Sequence, residues 1–105
     1  MNESEFNALA GATLSLIEQK LDACDADVDY ELAPGGVLEL EFADGSKIIV
    51  NKHVVAQEIW VAARSGGFHF RRDGEVWRDT RDGSELLEKL GRLVTAQAGE
   101  EVVFS

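Results

Sequence analysis

The sequence predicts an α+β fold, a two-layer sandwich with two helices on one face of a five- to six-stranded antiparallel sheet. Three observations lead there. Apolar residues recur at three- and four-residue steps near both ends of the chain, while the stretch between them alternates apolar and polar with a period of two. Pro-Gly-Gly, Asp-Gly and Gly-Gly turns cut the alternating stretch at short intervals. At 105 residues and 45% hydrophobic, the chain suits one domain, residues 1–105, with a modest core.

The first helix is expected over residues 4–24. Phe6, Ala10, Thr13, Ile17, Leu21 and Cys24 share its apolar face, and Ser4 or Asn2 caps its start. Glu18, Asp22 and Asp25 fall at i, i+4 and i+7 and form an acidic stripe beside that face. Stacked like charges repel by about 0.2–0.5 kcal/mol per pair, and the negative C-terminal end of the helix dipole adds to the cost.

Residues 27–32 then alternate strictly, with Val28, Tyr30 and Leu32 on one face and Asp27, Asp29 and Glu31 on the other. Pro34-Gly35-Gly36 turns the chain into a second strand over 37–42, where Leu38, Leu40 and Phe42 face inward and Glu39 and Glu41 outward. Asp44-Gly45 predicts a tight hairpin into Lys47–Asn51. Two adjacent strands thus carry acids on one outer face, where opposed like charges destabilise the pairing. Further strands are expected at 57–63, 67–72 and 75–79, with Ile59, Val61, Phe68 and Phe70 on the covered face and Trp60 and His69 on the other. A second helix is expected over 84–97, capped by Ser84, with Leu86, Leu87, Leu90, Leu93 and Val94 facing the core and Gly99 ending it. Val102, Val103 and Phe104 are apolar enough to dock.

The charge distribution narrows the function. Eight carboxylates and one lysine occupy the first 31 residues, whereas the other 74 hold twelve acids against nine Lys and Arg, within a net charge of −10. Such a field repels nucleic acid and anionic lipid and attracts hard cations or a basic protein surface. No apolar run approaches the ~18 residues of a membrane span, and the acidic start resembles neither a signal nor a transit peptide. One cysteine, Cys24, excludes an internal disulfide. It lies on the apolar helix face as a small hydrophobe, with neither histidine near it in sequence. These features fit the reducing interior of a bacterial-type cytoplasm.

The order of elements, with the acidic first helix and strand, the run Asp44-Gly45-Ser46-Lys47-Ile48-Ile49-Val50-Asn51, Ile59-Trp60-Val61-Ala62, Ser65-Gly66-Gly67-Phe68-His69-Phe70 and the closing Gln97-Ala98-Gly99, resembles the frataxin family, in particular its bacterial branch. The chain departs from that pattern at His53 and Glu58, where the family usually carries glutamine, and at Val55, where it carries proline. Those departures loosen any transfer of partner contacts from the loop.

The resemblance implies an iron-binding protein of iron–sulfur cluster assembly. It implies ferrous or ferric iron held on an acidic ridge, and docking on the cysteine desulfurase and its scaffold protein as iron donor or as regulator of the desulfurase. The residues expected in the ridge are Glu18, Asp22, Asp25, Asp27, Asp29 and Glu31, extended by Glu39 and Glu41. All donors are oxygen, which favours hard cations and weak, exchangeable binding, so other hard divalent ions qualify. Partner contacts are expected at Asp22, Asp25, Asn51 and Trp60, with His53 close to the same patch. A large aromatic on an open sheet face is a typical interaction anchor.

His69 reads as a surface histidine, with a nitrogen ligand as the alternative, and Trp77 as structural. The arginines over 64–81 make that side mildly basic, too little for nucleic-acid binding. No catalysis is expected. A ferroxidase, the enzymatic alternative, needs a defined site with paired ligands, and the sequence has no Glu-x-x-His element of the di-iron kind. A metal-independent acidic interaction module is the other alternative. The chain is expected as a monomer, with iron-driven oligomers as the variant.

Overall fold

The computed structural model describes residues 1–104. Its elements run α1 (Glu3–Ala23), β1 (Val28–Ala33), β2 (Val37–Phe42), β3 (Lys47–His53), β4 (Glu58–Ala63), β5 (Gly66–Asp73), β6 (Val76–Asp79) and α2 (Leu86–Ala98). The six strands form one antiparallel sheet in sequence order, so β1 and β6 are its edges. Both helices lie on the same face and share one core with it, in which Phe6, Ile17, Leu38, Leu40, Ile48, Ile59, Phe70, Leu86, Leu90 and Phe104 are all buried. This is the expected two-layer sandwich, with six strands.

Asn2 opens α1 with a capping box: its side chain accepts the Glu5 N–H at 2.8 Å and the Glu5 carboxylate accepts the Asn2 N–H at 3.4 Å. The buried stripe is Phe6, Ala10, Leu14, Ile17 and Leu21. Leu14 takes the place expected for Thr13, which is needed elsewhere. The Thr13 hydroxyl donates to the Leu9 carbonyl and accepts the Trp77 indole N–H at 2.8 Å. Trp77 is structural as expected, packed edge-to-face on Phe6 with centroids 5.9 Å apart.

The helix stops one residue short of the expected end. Cys24 becomes the extended C-cap (φ −87°, ψ 152°), partly buried against the core, so Asp25 lies outside the helix and the acidic stripe within it is Glu18 and Asp22 alone. Leu32, expected inward, is exposed on edge strand β1.

At the second helix the cap is Glu85, not Ser84. The Glu85 carboxylate accepts the Leu87 and Glu88 N–H groups at 2.8 and 3.2 Å. The Ser84 backbone is committed to the preceding turn, its carbonyl accepting the Asp79 N–H and its own N–H donating to Asp82. Gly99 ends α2 in the left-handed region (φ 75°), as expected. Leu86, Leu90 and Val94 are buried, with Leu87 and Leu93 at the margin.

Two contacts tie α2 down. Lys89 is buried on it, its Nζ 2.7 Å from both Asp79 Oδ2 and Asp82 Oδ2 and 4.7 Å over the Phe68 ring. The C-terminal segment crosses the helix at Gly91, where an added Cβ would stand 3.3 Å from the Val102 carbonyl oxygen and 3.4 Å from the Phe104 nitrogen. Val102 and Phe104 dock as expected, whereas Val103 points to solvent.

Candidate functional site

Alternation along the strands sorts every side chain to one of two faces. Leu38, Leu40, Ile48, Val50, Ile59, Val61 and Phe70 meet the helices. Glu39, Glu41, Lys47, Asn51, His53, Glu58, Trp60, His69, Arg71 and Arg78 occupy the face that no helix covers.

The acids lie in two groups flanking β1. On the helix side, the Tyr30 hydroxyl donates to Asp22 Oδ1 at 2.5 Å and couples α1 to β1. That hydrogen bond, with a smaller part from desolvation and from the Asp22 and Glu18 charges, pushes the Tyr30 phenol up to about 12. On the open face, Asp29 stands directly opposite Glu41, and Glu31 opposite Glu39. These four carboxylates line a shallow recess of about 140 Å³. Lys47 is the cation there, 2.7 Å from Glu39 and 3.8 Å from Glu41; the Glu39 carboxylate beside it holds its ammonium above the ordinary value.

Glu18, Asp22, Asp25, Asp27, Asp29 and Glu31 have no ion-pair partner among the described residues, whereas Asp44, Glu58, Asp73, Asp79, Asp82 and Glu88 each have one. The residues expected in the ridge thus form a band that lies on both sides of edge strand β1, with Asp22 on the helix side and Asp29 and Glu31 on the open face. Among the described residues, no three His, Cys, Asp or Glu side chains converge tightly enough to grip an ion. What the band offers a hard cation is negative potential and movable carboxylates.

The centre of the open face is a stack of three rings. Trp60 lies between His53 (centroids 3.9 Å apart, planes at 15°) and His69 (4.5 Å, 10°). Asn51 pairs with Trp60 in the sheet register, so Asn51, His53 and Trp60 do form one patch. Beneath it Glu58 is 7% exposed. Its Oε1 accepts the Trp60 indole N–H at 2.7 Å and its Oε2 accepts the Arg71 Nε–H at 2.7 Å. Burial alone would push the Glu58 carboxyl up, but the bonds from Arg71 and Trp60 outweigh it and hold the group below the ordinary carboxylate range. Arg71 faces Arg78 across β5 and β6, so the open face runs from carboxylates at one edge to guanidiniums at the other.

Glu58, Arg71 and the stacking role of His69 escape a reading of composition and motif. The sign of them in the sequence is parity: turn lengths fix the register, and positions 53, 58, 60, 69 and 71 then fall on one face.

The fold has known counterparts. The family model described as the frataxin-like domain matches residues 1–100. The iron-sulfur cluster assembly protein CyaY of Dechloromonas aromatica is 68% identical over 104 residues, 99% of each chain. Frataxin from Psychromonas ingrahamii superposes with a TM-score of 0.93 at 35% identity, covering 100% of this chain and 99% of that one. A trimeric yeast frataxin from Saccharomyces cerevisiae, complexed with ferrous iron, superposes with a TM-score of 0.65 at 27% identity, covering 95% and 88%. With its acidic edge, its open sheet face and a family match over nearly its full length, this chain belongs to the frataxin family.

Proposed function

We propose that the chain is a non-enzymatic iron-binding factor of iron–sulfur cluster assembly in a bacterial-type cytoplasm. It takes up ferrous or ferric iron weakly on the acidic band and docks on a cysteine desulfurase and its scaffold protein, donating iron or regulating the desulfurase. The observation that carries this reading is the absence, among the described residues, of any cationic partner for Glu18, Asp22, Asp25, Asp27, Asp29 and Glu31. Their neighbours Asp29–Glu41 and Glu31–Glu39 stand in directly opposed register. Such repulsion is relieved by a hard cation or by a basic protein surface. The names of the relatives support the pathway, and the ferrous complex of the yeast neighbour supports the metal.

Amide shift mapping during anaerobic ferrous titration tests it. Perturbation is expected over residues 18–31 and at Glu39 and Glu41, with α2 quiet; shifts centred on α2 would overturn the assignment. Parallel titrations with the desulfurase and with the scaffold protein are expected to move the band in the first case and Asn51 and Trp60 in the second. For the ferroxidase alternative, aerobic stopped-flow with catalytic amounts of protein is expected to give no acceleration over free iron. The lack of a converged ligand set also favours a companion reading, in which the acidic band recruits its basic partner without metal. Pull-down in excess chelator separates the two, since retention of the desulfurase assigns recruitment to charge alone.

A further inference from the structure

We propose that Glu58 is a positioning residue for Trp60, fixing a single orientation of the indole on the open face before any partner arrives. The inference rests on the reading of Trp60 as part of the docking surface.

A tryptophan on an uncovered sheet face ordinarily keeps its freedom of rotation about χ1 and χ2, and loses it on binding. Here that freedom is already gone. Both oxygens of Glu58 are committed, Oε1 to the Trp60 N–H and Oε2 to Arg71, each at 2.7 Å. The two indole faces are closed by His53 and His69. The His53 jaw is itself pinned: its Nδ1 accepts the Ala56 N–H at 3.2 Å inside the β3–β4 turn, where Gln57 adopts a left-handed φ of 53°. The His69 jaw has its Nδ1 3.6 Å from the same Glu58 carboxylate. Rotating the ring therefore breaks a hydrogen bond to a nearly buried carboxylate and two ring stacks together. A buried carboxylate on a face otherwise open to solvent is explained by this bracing and by nothing in the core, since Glu58 points away from the helices.

The test uses the ¹⁵N-labelled full chain and the purified iron–sulfur scaffold protein of the same genome. In Glu58→Ala the Trp60 indole cross-peak is expected to shift, its hydrogen exchange to accelerate and scaffold affinity to fall about tenfold, the worth of one well-made hydrogen bond. The Trp77 indole cross-peak serves as the folding control and stays put. Glu58→Gln keeps one acceptor for the indole but loses the Arg71 bond, so its cross-peak, exchange and affinity are expected to lie between wild type and Glu58→Ala. Should Glu58→Ala not fold, Arg71→Leu, at an exposed side chain, removes the brace and is expected to move the same cross-peak. An unchanged Trp60 cross-peak in Glu58→Ala or, if that variant does not fold, in Arg71→Leu overturns the proposal, as does a Glu58→Gln variant that behaves like Glu58→Ala. Trp60→Phe separates the two layers. If it leaves scaffold binding intact, the docking reading fails. If it weakens binding while Glu58→Ala does not, only the positioning role fails.

Discussion

Replacing Lys89 with methionine keeps the apolar stem of a buried side chain and strips its charge. Lys89 and Asp79 side chains are 11% and 2% exposed, and the ammonium sits 2.7 Å from the Asp79 carboxylate. Without it, Asp79 keeps the Arg81 and Asp82 N–H groups on Oδ1, at 2.7 and 3.4 Å, and loses the bond on Oδ2. Removing one partner of a buried pair costs about 3–5 kcal/mol, and the surviving N–H bonds favour the lower end, about 3 kcal/mol. For a domain of this size that lowers Tm by roughly 12–20 °C.

The pH dependence gives a second readout. Burial pushes the Asp79 carboxyl up, but Lys89 and the backbone N–H groups win and hold it below its ordinary 3.8. Its contribution to stability is therefore full above that value and drains away as pH falls through the folded-state value. Burial opposes the charge on Lys89 as well, yet the two aspartates hold it above 10.5, so its contribution is full below that and is lost as pH rises through the folded-state value. In Lys89→Met the carboxylate loses the ammonium that lowered it while burial still pushes it up, so the gap to wild type is widest at neutral pH and narrows on acidification. Urea unfolding at a series of pH values measures both effects. Lys89→Met/Asp79→Asn is expected to return to within about 1 kcal/mol of wild type. A penalty under about 1 kcal/mol at neutral pH, or one independent of pH, refutes the reasoning.

Absorbance titration of the phenolate is expected to find Tyr30 ionising near 12, and Asp22→Asn is expected to bring it back toward 10.0. Because the folded-state value is raised, the Tyr30–Asp22 contact supports the fold fully below the unfolded value and is lost as pH rises through the folded-state value near 12. Neutralising Asp22, Asp25 and Asp29 together is expected to weaken ferrous binding and desulfurase affinity while raising Tm at low salt, the gain shrinking as added salt screens the repulsion; an unchanged ferrous isotherm counts against the band. Gly91→Val places a branched side chain where Val102 and Phe104 backbone atoms already stand within 3.4 Å. A loss of about 1–3 kcal/mol in thermal unfolding is expected, with faster exchange at the Phe104 amide.

Periodicity made the fold legible. Each expected strand exists, because alternation in a half-buried sheet is imposed by the two faces themselves. The misplacements are local, and two of them share a cause, which is competition for a hydrogen-bonding group or a cap. Thr13 yields its core position to Leu14 because its hydroxyl serves Trp77, and Ser84 loses the cap to Glu85 because its backbone closes a turn. The acidic residues were legible as a group, and alternation placed Asp29, Glu31, Glu39 and Glu41 on the outer face; the loss of Asp25 from the helical stripe was not legible, since it depends on Cys24 ending the helix. The ring stack was half visible. Trp60 and His69 are placed outward by alternation, and Asn51 and His53 lie near in sequence, but only the register brings Glu58 and Arg71 under them.

The position of β1 at the margin of the sheet carries a last implication. A border strand exposes a row of peptide groups able to accept another chain, and proteins commonly guard such borders with charge. Here the charges on that border are Asp29 and Glu31, two carboxylates of the acidic band. On the proposed function, a hard cation taken up by the band would neutralise the charge along this border, so metal uptake and the guarding of the border strand would draw on the same side chains.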